Sequence, residues 1–240
     1  MRGAARLVLV GAEAALDDAT SAACEAVLDA RERERLAMIS HPEVRAEFLR
    51  ARALVRAALS TVRRERPTGW RFEQNAHGRP RAFDSAGAPG PAFNLSHTRG
   101  LLAVLVHDDP EAVLGVDVEA LGRRGGGPEV AERFFSVDEV RALRGLAPAA
   151  QRDRFFDYWT LKEAYIKARG VGVSLGLGRF SFVIDDPAAV TVRFDASLDD
   201  DPGRWRFARF DPWPGHRVAL ALGHPEATWQ TERWPDPFGP

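Results

Sequence analysis

FFDYWTLKEAYIKARG, Phe155 to Gly170, is the stretch on which the fold of this 240-residue chain turns. Tyr158, Leu161, Tyr165 and Ala168 recur at the spacing of one helical stripe. Glu163 and Lys167 stand four apart, so they share a line of the helix in the favourable acid-before-base order. Lys162 and Lys167 are the only lysines; every other member of the 33 basic residues is an arginine. Both lysines within a turn and a half point to a need for a compact ammonium there. A core helix with an ordinary surface Glu163–Lys167 pair stands beside that reading as the plain alternative.

The second informative stretch lies upstream, at Val113 to Glu119 (VLGVDVE). In a strand, alternate side chains share a face, so Val116 and Val118 point one way and Asp117 and Glu119 the other. Two carboxylates side by side at the end of an apolar strand repel each other unless a cation or donor lies between them. Hard divalent ions such as magnesium prefer such an oxygen set. A strand with one solvated face is the alternative.

Composition narrows the class. Hydrophobic content of 45% and charged content of 28% are those of an ordinary globular protein, long enough for one large domain or two small ones. A formal net charge of -1 gives no reason to expect nucleic acid or a membrane as partner. Cys24 is the only cysteine, which excludes an intrachain disulfide and a cysteine-rich zinc site. Leu7 to Val10 is too short an apolar run for a signal peptide, and no segment approaches a membrane span. The expected location is the cytoplasm.

Around the two stretches, Arg6 to Gly11 reads as a buried strand and Asp17 to Ile39 as helical. The charges of Ala30 to Leu36 (ARERERL) read as a solvated face. Pro42 opens a helix whose stripe is Val44, Phe48, Ala51, Val55, Leu59 and Val62; Arg52 and Arg56 lie on it as solvated arginines. Trp70 to Arg81 reads as a strand with a turn at Gly78-Arg79-Pro80. Strands follow at Ala92 to Leu95 and Leu101 to Val106, with Ser96-His97-Thr98-Arg99-Gly100 as a tight turn able to gather an anionic oxygen. Gly122 to Pro128 is a flexible connection, and Ser136 to Glu139 has the form of a capping box inside Val130 to Arg144. Strands are expected at Arg179 to Ile184, Val190 to Phe194, Trp205 to Phe210 and Val218 to Leu222; Pro225 to Pro240 reads as an irregular tail.

Gly115-Val116-Asp117-Val118-Glu119 followed by Trp159-Thr160-Leu161-Lys162-Glu163-Ala164-Tyr165-Ile166-Lys167 resembles the two signature motifs of the 4'-phosphopantetheinyl transferases. Gly78-Arg79-Pro80, Asn94-Leu95-Ser96-His97-Thr98, and Arg133-Phe134-Phe135-Ser136 with Glu139 resemble the remaining motifs of the long, surfactin-synthetase-activating type. The resemblance runs from roughly Arg31 to Phe182 and leaves the first strand and the tail uncovered. It implies an α+β fold of two pseudo-symmetric halves, 1–110 and 111–240. Each half would have helices packed on a small, mostly antiparallel sheet, with the active site between them. The implied reaction moves the phosphopantetheine arm of coenzyme A onto a serine of an acyl, polyketide or peptidyl carrier protein, leaving 3',5'-ADP.

The resemblance also implies roles. Asp117, Glu119 and Glu163 would hold magnesium, and Lys167 would meet the α-phosphate. Ser96 and His97 would bind phosphate oxygens, with Gly78, Arg79 and Pro80 at the nucleotide end. Arg35 and Arg52 fall where the 3'-phosphate is bound, although Glu32 stands where some relatives have a basic residue. Glu163 is the first choice of base. Two halves in one chain point to a monomer. A coenzyme A pyrophosphatase with water as nucleophile, and a non-catalytic carrier-docking module, are the rival readings.

Overall fold

A computed structural model of the chain describes residues 3–12, 16–123, 125–186 and 189–238. The chain divides into two compact units, Met1–Ala112 with Thr228–Pro240, and Val113–Ala227. The division thus falls at Ala112/Val113, and the C-terminal segment belongs with the first unit rather than with the half that precedes it in sequence.

The first unit is built on a four-stranded sheet in the order β11-β1-β5-β4, with β1 (Ala5–Gly11), β4 (Ala92–Thr98), β5 (Leu101–His107) and β11 (Trp229–Trp234). Antiparallel pairing joins β1 to β5 and β5 to β4, whereas β11 runs parallel to β1. The tail expected to be irregular therefore forms an edge strand: Trp234 is buried in the core, and Arg6 forks onto Glu232 with two 2.9 Å hydrogen bonds.

Helix α3 (Pro42–Val62) starts at the proline the sequence marked. It buries Leu54, Val55, Ala58 and Leu59 against Val8, Val10, Val104 and Val106 of the sheet. Val44, placed on the same stripe by periodicity, is exposed, because the first turn of α3 runs past the core. Between β1 and α3 the single helix expected over Asp17 to Ile39 is two, α1 (Asp18–Ala26) and α2 (Ala30–Ala37). Asp29 breaks it by capping α2 in a reciprocal box with Glu32. The hairpin of β2 (Arg71–Gln74) and β3 (Pro80–Phe83) completes the unit.

The second unit places α6 (Pro148–Arg169) on a three-stranded antiparallel sheet of order β6-β10-β9, formed by β6 (Leu114–Ala120), β9 (Arg206–Trp213) and β10 (His216–Leu222). Pro148 starts α6 at its first turn, and Gly170 ends it in the left-handed conformation with φ 64°. Ala164 and Ala168 share a core with Ala219 and Ala221, so small residues let helix and sheet approach closely. Tyr165, Phe180, Phe182, Trp205 and Phe207 fill the rest of that core with edge-on and stacked ring contacts. Helices α4 (Pro128–Phe134) and α5 (Val137–Arg144), and the hairpin of β7 (Phe180–Asp186) and β8 (Ala189–Phe194), lie around it. Ser136 and Glu139 form the expected capping box. No helix of the described residues is long and apolar enough to cross a membrane.

Candidate functional site

Gly115 explains how the two signature stretches come together. A Cβ at that position would lie 2.1 Å from the Ala164 carbonyl oxygen and 2.6 Å from the Ala168 amide nitrogen. Only glycine lets β6 pass this close to the backbone of α6. Two and four residues further on, Asp117 and Glu119 project on the same side of the strand as Gly115. Trp159, Glu163 and Lys167 recur every four residues on α6, so they share one line of the helix.

The resulting cluster is an alternation of charges. Lys167 Nζ donates to Asp117 Oδ1 at 2.7 Å, a bond across to the strand as well as a charge near Glu163 one turn back. Arg123 Nε lies 2.8 Å from Glu119 Oε2, and the Trp159 side chain donates a hydrogen bond to the same carboxylate. Burial pushes the Glu163 carboxyl up to about 7; the charges of Asp117 and Glu119 push the same way, while Lys167 opposes them. Glu119 is raised too, first by burial and then by Asp117, against Arg123, Trp159 and Lys167.

Among the described residues no three His, Cys, Asp or Glu side chains form a preformed metal cage. The donor chemistry nevertheless fits one kind of ligand. Three carboxylates gathered on one side of β6 and one line of α6, with the Asp117 charge raising the proton affinity of Glu119 and Glu163, are the oxygen set a hard divalent cation takes.

The other lysine has a different place. Lys162 is fully buried: Nζ meets Glu139 Oε2, the Leu177 carbonyl and the Phe180 carbonyl, all at 2.7 Å, and lies 4.3 Å from the Phe180 ring centroid. Glu139 caps α5 through Ser136 and also accepts from the Phe182 amide at 2.9 Å. This buried pair ties α5, α6 and β7 together, so the need for two nearby ammoniums separates into one structural and one at the carboxylate cluster.

In the first unit, the hairpin turn is organised by Asn75, whose side chain accepts from the amides of His77 and Arg79 at 2.9 Å. Gly78 supplies φ 82° there and touches nothing that would exclude a side chain, so the conformation is what requires it. Burial draws the Arg79 guanidinium below its ordinary value. Arg52 is lowered likewise, by burial and then by its neighbours Arg35 and Arg56 against Glu32. Arg35, exposed on α2, and Arg52 on α3 are thereby brought into one basic group, with Arg52 stacked 5.1 Å over Phe48.

Two expectations here need correction. Arg56 is not solvated: it is fully buried, donating to the Trp70 carbonyl at 2.6 Å and to Glu32 at 2.5 Å. The charges of ARERERL are therefore partly internal. The Ser96–Gly100 run is not all turn either, because β4 continues to Thr98 and pairs with Leu101 across a two-residue turn. Ser96 is buried and His97 exposed, on opposite faces of that strand, so the two side chains do not converge. His97 Nδ1 instead meets Glu47 of α3 at 2.8 Å.

Sequence reasoning gave no role to two participants. The four-residue spacing of Trp159 from Glu163 would have found the first, and Glu47 offered no signal.

The family model for the 4'-phosphopantetheinyl transferase superfamily matches residues 113–223, nearly the whole second unit. A phosphopantetheinyl transferase of Thraustochytrium is 31% identical over 219 residues, covering 86% of this chain and 74% of that protein. A 4'-phosphopantetheinyl transferase of Bacillus subtilis is 28% identical over 201 residues, 84% of each chain. The transferase Sfp of Bacillus subtilis strain 168 is 28% identical over 194 residues, 81% of each. The chain belongs to the 4'-phosphopantetheinyl transferase superfamily, in its Sfp-like branch.

Proposed function

We infer that the chain transfers the 4'-phosphopantetheine arm of coenzyme A to a serine of an acyl, polyketide or peptidyl carrier protein, releasing 3',5'-ADP. The observation that carries this reading, within a family of that activity, is the cluster of Asp117, Glu119, Glu163 and Lys167 that Gly115 allows to form. The serine oxygen forms a bond to the phosphorus bearing pantetheine as the bridging oxygen leaves with the nucleotide.

Glu163 takes the serine proton directly or through a water. Lys167 places an ammonium against the α-phosphate, where a point charge serves better than a planar fork. Asp117, Glu119 and Glu163 would hold magnesium, which would neutralise charge on the pyrophosphate oxygens and polarise the phosphorus. In the first unit, His97 binds phosphate oxygens, Gly78, Arg79 and Pro80 line the nucleotide end, and Arg35 with Arg52 takes the 3'-phosphate. Ser96, on the opposite face of β4 from His97, binds a different phosphate oxygen. Assignment to the cytoplasm and to a monomer belongs to the same proposal.

The test of the metal assignment is a set of melts of the parent and Asp117→Asn, with and without magnesium and coenzyme A. Asparagine relieves repulsion on Glu163 and Glu119 but weakens the bond to Lys167, so the metal-free proteins should differ by no more than about 1 kcal/mol. The variant should lose most of the stabilisation that the ligands confer through binding linkage. A variant that melts far below the parent without ligands yet gains the full ligand shift would overturn the assignment.

A further inference from the structure

Glu119 is held by a cation that the signature motifs do not include. Arg123 follows it by four residues, in the glycine-rich connection between β6 and α4. Its backbone is pinned: Arg152 of α6 donates to the carbonyls of Leu121, Arg123 and Gly125. The guanidinium lies 5.3 Å over the Phe156 ring and 5.8 Å over the Trp159 ring. The contact with Glu119 is of a different kind from the one between Lys167 and Asp117. Lys167 makes a 2.7 Å hydrogen bond, whereas Arg123 Nε sits 2.8 Å from Glu119 Oε2 without a hydrogen bond to any partner. A guanidinium bound for geometry would use its planar fork on the carboxylate. Here it supplies charge at short range and little direction, from a side chain still 35% exposed to solvent.

We propose that Arg123 is a place-holding counter-cation: it neutralises Glu119 in the metal-free protein and competes with the divalent ion for that carboxylate. The proposal rests on the magnesium site above. Its physical basis is simple. A positive charge on a ligand oxygen lowers the negative charge that a second cation meets, and it repels that cation directly. The same charge offsets the mutual repulsion of Asp117, Glu119 and Glu163 when no metal is present. Arg123 therefore stabilises the free protein and weakens metal binding by one and the same interaction. The pinned backbone keeps it at hand, and the two rings give the guanidinium a resting surface once the oxygen is taken.

The experiment titrates the full chain with magnesium chloride alone, following heat or melting temperature, for the parent, Arg123→Gln, Arg123→Met, Arg123→Lys and Asp117→Asn. The neutral variants should bind magnesium roughly two- to fivefold more tightly, the factor expected for removing one partly exposed ion pair. Both should melt below the parent when no metal is present. Arg123→Lys, which keeps the charge, should bind like the parent. Methionine keeps an unbranched stem over the rings, so it decides the outcome if glutamine prevents folding. Equal or weaker magnesium affinity in the neutral variants would overturn the proposal, since it would make Arg123 an orienting partner of Glu119. A parent that does not respond to magnesium, or an Asp117→Asn variant that responds fully, would instead strike down the metal site itself.

Discussion

Replacing Lys162 by methionine keeps the length and apolar stem of the side chain and removes its charge. The consequences follow from what the ammonium touches. Glu139, only 1% exposed, would lose its countercharge, a change that costs about 3–5 kcal/mol when a buried pair is broken from one side. Two carbonyls, of Leu177 and Phe180, would lose donors at 2.7 Å, each about 1 kcal/mol. Against this, Glu139 keeps the Ser136 and Phe182 amides and can take up a proton. The net expectation for Lys162→Met is a loss of about 4 kcal/mol, a large part of the 5–15 kcal/mol that holds a domain together. Glu139→Gln strands the ammonium instead and should cost about 3 kcal/mol. The double variant should fall well short of the sum, with a coupling of about 2–3 kcal/mol. Urea unfolding followed by tryptophan fluorescence and far-ultraviolet dichroism would measure all three. A loss below about 1 kcal/mol for Lys162→Met, or single losses that simply add, would refute the buried pair as the tie between α5, α6 and β7.

Lys167 should behave in the opposite way. Lys167→Ala should lower turnover by about two to three orders of magnitude with the dichroism spectrum unchanged, and Lys167→Arg should restore only part of it; normal turnover in the alanine variant would leave Lys167 as a mere partner of Asp117. Gly115→Ala forces a methyl group against backbone atoms of α6, which cannot move aside as a side chain would. It should cost about 3 kcal/mol and depress transfer as the carboxylates shift from Glu163, whereas full stability and activity would sink the close-approach account.

What could be read from the sequence was what local signals carry. The α6 stripe, its Pro148 start and Gly170 stop, the β6 alternation and the Ser136–Glu139 box are all set within a few residues of chain. The misreadings come from distant partners. Arg56 is buried because Glu32 and the Trp70 carbonyl receive it from other elements. The tail is a strand because β1 offers it an open edge. His97 and Ser96 sit in a strand because β5 supplies ladder partners to a run whose polarity reads as turn. One error was avoidable: Asp29-x-x-Glu32 is the same capping pattern as Ser136-x-x-Glu139, and it divides α1 from α2. The structural role of Lys162 was beyond reach, since Glu139 and the Leu177 and Phe180 carbonyls that receive it come from other elements.

The most direct measurement is the intact mass of a panel of carrier proteins after incubation with the purified chain, coenzyme A and magnesium. At least one carrier should gain a single phosphopantetheine group on its serine, with 3',5'-ADP released in equal amount and no gain in the presence of excess chelator. Release of phosphopantetheine into solution with every carrier mass unchanged would contradict the transfer and mark the site as that of a pyrophosphatase.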